Sequence, residues 1–244
     1  AHTATALDAD YQAVLAWGFR PGMTKRALWR RLWWSLVDPR VHGRYLAQRI
    51  STNFGSGVPA ARRLAAILVA VIPFGLAAAT SQWLLYVVGW LTPLLYGFQL
   101  SSLLQMIGAE HLWGINHGRG KRAIALTSHG RFLGDPYPGN GEMLAKWRWW
   151  VRLLAFHLPA RITVYVGHDL GPAHDLHHRE PRSDWANAPY VRQAKQDEGS
   201  PGWPVPYTDH WGSLGGHIDR VFEALASLPE MDRAQWLEVE AAKQ

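Results

Sequence analysis

The sequence contains no cysteine, and this absence removes several kinds of chemistry at once. Disulfide bonds, thiolate nucleophiles, iron–sulfur clusters and cysteine-based zinc sites are all excluded. A metal site in this chain must therefore use histidine, carboxylate or water ligands. Internal repeats and low-complexity tracts are also absent from the 244 residues, a length that is enough for one domain with a sizeable core.

Tryptophan and positive charge are both abundant. The chain has 14 Trp, is 48% hydrophobic and carries a formal net charge of +6. Tryptophan favours the boundary between apolar and polar surroundings, as at the membrane–water interface. The positive charge suits anionic lipid or an acidic partner. No recognisable nucleic-acid-binding module accompanies it, so we expect no nucleic-acid partner.

Charged side chains are missing from a long central run, which begins after Arg63 and lasts to Gly108. The polar residues 80–82 interrupt this run, which is too long for one crossing of a bilayer. Two helices, from about 62 to 80 and from about 82 to 107, would be about 28 Å and about 39 Å long. The pattern predicts a transmembrane hairpin whose second helix protrudes from the bilayer; a hairpin buried in a soluble protein is the alternative.

Basic residues flank the hairpin and predict its orientation. Arg62 and Arg63 precede it, and Arg119, Lys121 and Arg122 follow it. Positive charge marks cytoplasmic segments, so both ends are expected on the cytoplasmic side. The predicted organisation is a cytoplasmic or interfacial helical segment over residues 1–60, the hairpin over 61–108, and a cytoplasmic cap and tail over 109–244.

Three further stretches have helical periodicity. One ends near Asp38 and Pro39 and suits either a membrane surface or the core; its apolar residues are Leu28, Trp29, Leu32, Trp33 and Leu36. Residues 143–166 are rich in aromatic residues and carry Lys146, Arg148, Arg152 and Arg161, which favour the membrane surface, and Pro159 is expected to break or kink this helix. Residues 214–228 predict a short amphipathic helix whose apolar side includes Val221, Phe222 and Leu225.

Histidines are concentrated between His168 and His178. On a helix, His174, His177 and His178 stand at positions i, i+3 and i+4 and share one face. Neutral imidazoles in this arrangement suit iron, zinc or copper, although surface histidines without a joint role remain the alternative. Asp175 lies off that face and is expected to orient a neighbouring imidazole. His111 follows directly after the second apolar helix.

Several motifs together resemble the C-terminal part of the membrane fatty-acid desaturase superfamily of histidine-box di-iron proteins. "HDLHH" followed by "REPRSDWANAPYVRQ" is similar to the last box, HxxHH, of that superfamily. "AEHLWG" after the hairpin resembles its additional histidine, and "HTATALDAD" at the start resembles the segment after its second box. His2 then corresponds either to the last ligand of that box or to the histidine that often follows it, and we favour the second assignment. The resemblance extends over roughly residues 1–195.

The sequence also departs from the superfamily pattern. It has no separate first box of the form HxxxH or HxxxxH and no complete second box. Ile107 occupies a position that is often Asn in acyl-CoA desaturases, and Glu110 is a candidate for that polar role. The chain therefore looks like the second half of a desaturase-like protein, and its motifs alone do not supply a complete di-iron ligand set.

The resemblance implies an all-α membrane protein in which a transmembrane helical hairpin carries a cytoplasmic helical cap with histidine boxes. It implies iron bound at a di-iron centre, with no catalytic residue separate from the metal ligands and no other cofactor-binding residue. The implied ligands are His111, His174, His177 and His178. His168 matches no box and remains a candidate ligand or orienting group, whereas the histidines expected to be structural or solvent-facing are His117, His129, His157, His210 and His217.

The implied activity is O2-dependent desaturation of a fatty acyl chain, with electrons from a ferredoxin or cytochrome b5 type of protein. Hydroxylation or ketolation of a lipid or carotenoid is a close alternative, and a non-catalytic subunit of a larger membrane assembly is another. A soluble zinc hydrolase would leave the hairpin unexplained. We expect an integral protein of a bacterial inner membrane with its histidine boxes on the cytoplasmic side.

A basic rim is predicted to bind an acidic donor or an anionic headgroup, or simply to face solvent; its residues are Arg179, Arg182, Arg192 and Lys195.

Overall fold

The computed structural model describes residues 9–113, 120–129, 131–165 and 173–230, and most of these residues are helical. The α-helices are α1 (Ala9–Ala16), α2 (Lys25–Ser35), α3 (Pro39–Phe54), α4 (Ala60–Thr80), α5 (Trp83–Tyr86), α6 (Phe98–Leu104), α7 (Lys121–Thr127), α8 (Met143–Arg152), α9 (Leu158–Tyr165), α10 (His174–Arg179), α11 (Ala188–Asp197) and α12 (Leu214–Ser227). Wider π-helical turns occupy Val87–Leu91, Pro93–Gly97, Gln105–Ala109 and Leu153–His157, and Trp185–Asn187 forms a 3-10 turn.

Two short strands add to the predicted helical architecture. β1 (Arg131–Gly134) and β2 (Asp209–Trp211) pair in parallel, with Arg131 opposite Asp209. The predicted helical class is confirmed, but the all-α prediction did not include this two-stranded sheet. Segments of four and three residues are too short to show the alternation that identifies a strand in sequence.

The chain divides into two compact units, one formed by residues 34–100 and the other by residues 1–33 with 101–244. In the first unit, Asp38 caps α3 by accepting a hydrogen bond from the backbone N–H of Arg40 at 2.9 Å. Pro39 stands at the start of α3, where its missing N–H costs nothing. The predicted helix break near Asp38 and Pro39 is thereby confirmed.

The apolar run forms two helical stretches, Ala60–Thr80 and Trp83–Gly108, and each is long and apolar enough to cross a membrane. Between them Ser81 adopts a left-handed conformation with φ +58°, which ends α4 within the predicted turn. Only 6% of the most apolar window in the first stretch and 22% of that in the second are buried within the protein. The described chain therefore does not cover these side chains as a soluble core would.

The second unit has a core built on α2 and α12. Phe222 of α12 stacks on Phe19 at 5.8 Å between ring centroids and meets Trp29 edge-on at 5.2 Å. The predicted apolar side of α12 is confirmed, since Val221, Phe222 and Leu225 are buried. In α2 the leucines at 28 and 32 are buried while Trp33 is exposed, so only one side of that helix packs on the core.

Gly108 allows α12 to approach the end of the second apolar stretch. A Cβ atom at Gly108 would lie 2.4 Å from Cγ1 of Ile218, a distance that no side chain can tolerate without movement. The absence of a side chain at residue 108 therefore permits direct contact between α12 and the π-helical turn Gln105–Ala109. This contact fixes the backbone three residues before His111.

Residues 143–165 form one continuous helical stretch made of α8, the π-helical turn Leu153–His157 and α9. Pro159 was expected to break or kink this helix, and a break is wrong because the helix continues through Pro159. The backbone N–H of Leu158 donates to the carbonyl of Leu153, so the chain widens by one residue per turn just before the proline. This wider turn lets the helix continue although Pro159 has no N–H to donate.

Candidate metal centre

Three histidine side chains converge inside the second unit. His111, His174 and His178 are only 3%, 5% and 8% exposed. Nε2 of His174 lies 3.1 Å from Nε2 of His111 and 2.9 Å from Nε2 of His178. One ring nitrogen from each residue falls within a group less than 4.8 Å across, and we call these three residues the histidine cluster.

Local secondary structure brings the histidine cluster together. His174 and His178 lie one turn apart on α10, so their rings project from the same face. His111 sits in an extended segment, where it forms a β-bridge with Ser128, the residue that follows α7. Backbone hydrogen bonds from Leu112 to Thr127 at 3.0 Å and from His129 to Glu110 at 2.7 Å tie this segment to the end of α7.

The spacing of the nitrogens fits a metal better than it fits hydrogen bonding alone. An imidazole nitrogen has one in-plane site, either an N–H or a lone pair. Nε2 of His174 nevertheless has two nitrogen neighbours at hydrogen-bond distance, and one site cannot serve both fully. A metal about 2.0–2.1 Å from each nitrogen would hold neighbouring nitrogens about 2.8–3.4 Å apart, and the two distances from Nε2 of His174 fall in this range. Iron, zinc and copper all accept such a donor set.

The electrostatic surroundings of His174 favour its neutral form. Burial lowers the pKa of His174 well below its ordinary value of 6.5, and the nearby rings of His111, His178, His177 and His129 lower it further. A neutral imidazole retains the lone pair that a metal requires.

Glu110 approaches the other nitrogen of His174. Its Oε1 atom lies 3.5 Å from Nδ1, on the side of the ring opposite the cluster nitrogen. A carboxylate in this position favours a proton on Nδ1 and leaves the Nε2 lone pair directed at the cluster. Glu110 was expected to replace a polar residue of the superfamily motif, and the structure places its carboxylate against the imidazole of His174.

We expect the thermal stability of the metal-free chain to fall as the pH decreases below 6.5. Because the pKa of His174 is lowered by folding, the unfolded chain binds a proton there at a higher pH than the folded chain does. Acid therefore favours unfolding between 6.5 and the lower folded pKa, whereas above 6.5 both states are neutral and the contribution is constant. Melting temperatures over a pH series check this expectation, with His174→Gln as the non-titrating control. Equal slopes in the two chains below pH 6.5 would contradict it.

His177 lies beside the cluster rather than within it. Its ring centroid is 5.1 Å from that of His178, 6.1 Å from that of His174 and 5.1 Å from that of Trp185. Among the described residues, the group of close ring nitrogens contains His111, His174 and His178 only. The ligand role of His177 stays a prediction, and His168 lies outside the described residues.

Asp175 makes a buried ion pair instead of orienting an imidazole as predicted. Both of its oxygens accept hydrogen bonds from the guanidinium of Arg192, at 2.7 and 2.8 Å. Arg192 is completely buried, so its assignment to a basic rim is wrong. Arg179 is also buried, donating to the carbonyls of Val205 and Pro206, whereas Arg182 is exposed as predicted.

The ion pair continues into a network behind α10. Arg192 also reaches Asp209 at 3.2 Å, and Asp209 accepts two hydrogen bonds from Arg131 at 2.7 and 2.9 Å. Burial opposes ionisation of Asp209, but hydrogen bonding and the charge of Arg131, followed by the charge of Arg192, lower its pKa overall. The network therefore links α10, α11 and both strands, and it holds the histidine helix through Asp175, which lies off the face that carries His174 and His178.

Trp113 packs against His111 of the histidine cluster, and the sequence analysis did not predict this contact. It is fully buried, its ring stacks on Tyr11 at 5.4 Å, and the ring of His111 lies 4.6 Å away. Its indole N–H donates to the carbonyl of Met106. The available signal was its position two residues after His111 in the "EHLWG" motif.

The remaining histidines have mixed outcomes. His157 is buried and bonds Asp135 at 2.9 Å, which confirms its structural role. His129 and His217 were expected to stand alone, but their rings lie 6.2 Å apart. His210 belongs to β2, and His2 and His117 lie outside the described residues.

Comparisons of the chain with known protein families, with curated proteins and with solved structures give no match. The assignment of a function therefore rests on the residues and on the geometry of the histidine cluster.

Proposed function

We propose that this chain belongs to a membrane-bound, iron-dependent oxidoreductase of the fatty-acid desaturase type, which introduces a double bond into an acyl chain. One observation carries the proposal. The apolar stretch Trp83–Gly108 ends three residues before His111, and His111 meets the two histidines that are four residues apart in the HxxHH motif. One ligand of a metal bound there would therefore follow directly after a segment that is suited to lipid.

The histidine cluster supplies nitrogen donors for the iron. His111, His174 and His178 would bind it directly, and we assign His177 as a further donor at the edge of the site. Iron, when bound, supplies the O2-dependent oxidising power for removing hydrogen from an unactivated CH2 group, which no protein side chain supplies. A second iron, as in the superfamily that the motifs resemble, would need donors beyond the histidine cluster.

The protein's own residues would control the surroundings of the iron. The low exposure of all three imidazoles excludes bulk water, which protects an oxidising site from side reactions. The carboxylate of Glu110, 3.5 Å from Nδ1 of His174, favours the tautomer with its proton on that nitrogen, and the ion pair between Asp175 and Arg192 anchors α10. We further propose that the chain is integral to a bacterial inner membrane with the cluster on the cytoplasmic side, and that a ferredoxin or cytochrome b5 type of carrier supplies electrons.

The test combines metal analysis with product analysis. The full chain, purified in a membrane mimetic and supplied with iron(II), a reductant, O2 and phospholipid or acyl substrates, is assayed by mass spectrometry. The proposal predicts bound iron and a product lighter by two hydrogens. A product heavier by one oxygen would indicate hydroxylation instead, and a chain that holds zinc or no metal and oxidises nothing would overturn the proposal. A chelator-treated sample is the control.

A further inference from the structure

An apolar face of the continuous helical stretch over residues 143–165 is left uncovered by the described chain. Its side chains recur every three or four residues and are between 42% and 65% exposed: Leu144, Trp147, Val151, Leu154, Leu158 and Ile162. This spacing places them in one line along the helix. We call this line the apolar face.

The opposite side of the same stretch is packed on the protein and fixes its rotation. The indole N–H of Trp149 donates to the carbonyl of Asp135 at 2.8 Å, and Val164 is completely buried. His157 is buried against Gly134, where a Cβ atom would lie 2.8 Å from Cγ of the imidazole. The apolar face is therefore exposed because the helix is anchored by its other side.

The π-helical turn Leu153–His157 keeps the apolar face in line. A π turn contains more than four residues, so it delays the rotation of the side chains that follow it. Leu154 and Leu158 remain four residues apart across this turn, and Ile162 follows after another four. The apolar face thus runs from residue 144 to residue 162, about 27 Å at the helical rise of 1.5 Å per residue.

The charges along this stretch identify the surroundings that it suits. It contains no acidic residue between Met143 and Tyr165, and its cations are Lys146, Arg148, Arg152 and Arg161. Arg152 is bound by Asp135 at 2.8 Å. Cations spread along the whole length disfavour a crossing of the hydrocarbon core, whereas tryptophans and cations beside an apolar face are typical of a helix in the headgroup region. A second copy of the same face would bring like charges together.

We propose that residues 143–165 form a second membrane contact, a helix that lies in the plane of the bilayer surface with the apolar face inserted among anionic phospholipid headgroups. This inference rests on the membrane setting of the proposed function and is independent of its metal chemistry. The occupant is lipid, and the negative headgroup charge complements the cations that border the face.

The absence of cysteine makes a site-directed spin-label experiment direct, because any introduced cysteine is the only one in the chain. Trp147→Cys, Leu154→Cys and Ile162→Cys are labelled in the full chain in nanodiscs of phosphatidylcholine and phosphatidylglycerol. Collision rates with O2, which partitions into lipid, and with a water-soluble nickel complex then report the depth of each label. Glu198→Cys, at an exposed position after α11, is the aqueous reference, and Val69→Cys near the middle of α4 is the reference for the hydrocarbon core.

The proposal predicts that the three labels on the apolar face collide severalfold less with nickel than the label at 198. They should lie about 5–10 Å below the phosphate level, shallower than the label at 69. Replacing phosphatidylglycerol by phosphatidylcholine should raise the nickel accessibility of all three. High nickel accessibility at 147, 154 and 162, or exclusion of both reagents as under a protein partner, would overturn the inference. If the label at 69 also lies in water, the membrane setting of the proposed function fails as well.

Discussion

The His174→Ala variant is expected to be unable to retain a metal through purification. Nε2 of His174 is the nitrogen within 3.1 Å of both other cluster nitrogens, so its loss removes the donor that connects His111 with His178. Loss of an outer-sphere partner typically costs about 10–100-fold in metal affinity, and loss of a central ligand should exceed that range. Metal titration and metal content of the purified chain measure the effect.

His157→Gln is the matched control, because His157 is also buried but lies outside the histidine cluster. This variant should retain the metal affinity of the wild type even if its stability falls. Thermal unfolding gives a second measurement. Metal at a hundred times its dissociation constant should stabilise the folded wild type by about 2.7 kcal/mol and so raise its melting temperature, whereas the melting temperature of His174→Ala should not change. Retention of metal by His174→Ala would remove the histidine cluster as the site.

Arg192→Ala is expected to cause the largest loss of stability, about 3–5 kcal/mol. Arg192 is completely buried, and its guanidinium compensates Asp175 and part of the charge of Asp209. Its removal leaves Asp175 as a buried carboxylate without its bidentate partner. Asp175 directly follows His174 on α10, so loss of its partner should also disturb the position of His174 and lower the metal affinity. Thermal or denaturant unfolding in detergent measures the first effect, and metal titration measures the second.

Two further variants show whether the ion pair causes this loss. Arg182→Ala removes an exposed arginine from the same region and should change stability by no more than about 0.5 kcal/mol. The double variant Asp175→Asn/Arg192→Ala should be less destabilised than the sum of its single variants, because no buried charge is left uncompensated. A loss below about 1 kcal/mol in Arg192→Ala would show that the network does not support α10.

The sequence predicted part of the histidine cluster for clear physical reasons. Residues four apart on a helix share a face, so the pairing of His174 with His178 followed from spacing alone. The contribution of His111 required the resemblance, since no local pattern links residues 63 positions apart. His177 stands three residues after His174, but its ring turns toward Trp185 and His178. Helical spacing therefore placed the histidines of α10 on one face, but it could not predict which of their rings lie within the histidine cluster.

The ion-pair network around Arg192 was not predictable in the same way. Charged residues are mostly exposed in proteins, which led to the interpretation of Arg192 as part of a basic rim. Its burial depends on Asp175 and Asp209, which lie 17 residues away on either side. Pairings over such separations appear only when the chain is folded. The periodic apolar patterns, in contrast, gave α12 and both apolar stretches correctly, because helix formation there follows from local spacing.

The most direct test of the account is X-ray absorption spectroscopy of the iron-loaded chain. Imidazole rings bound to a metal give outer-shell scattering that carboxylate and water ligands do not give. The account predicts scattering from at least three imidazoles, the number in the histidine cluster, and its loss in His174→Ala. A spectrum with oxygen ligands alone, or one that is the same in His174→Ala, would contradict the claim that His111, His174 and His178 together bind the metal.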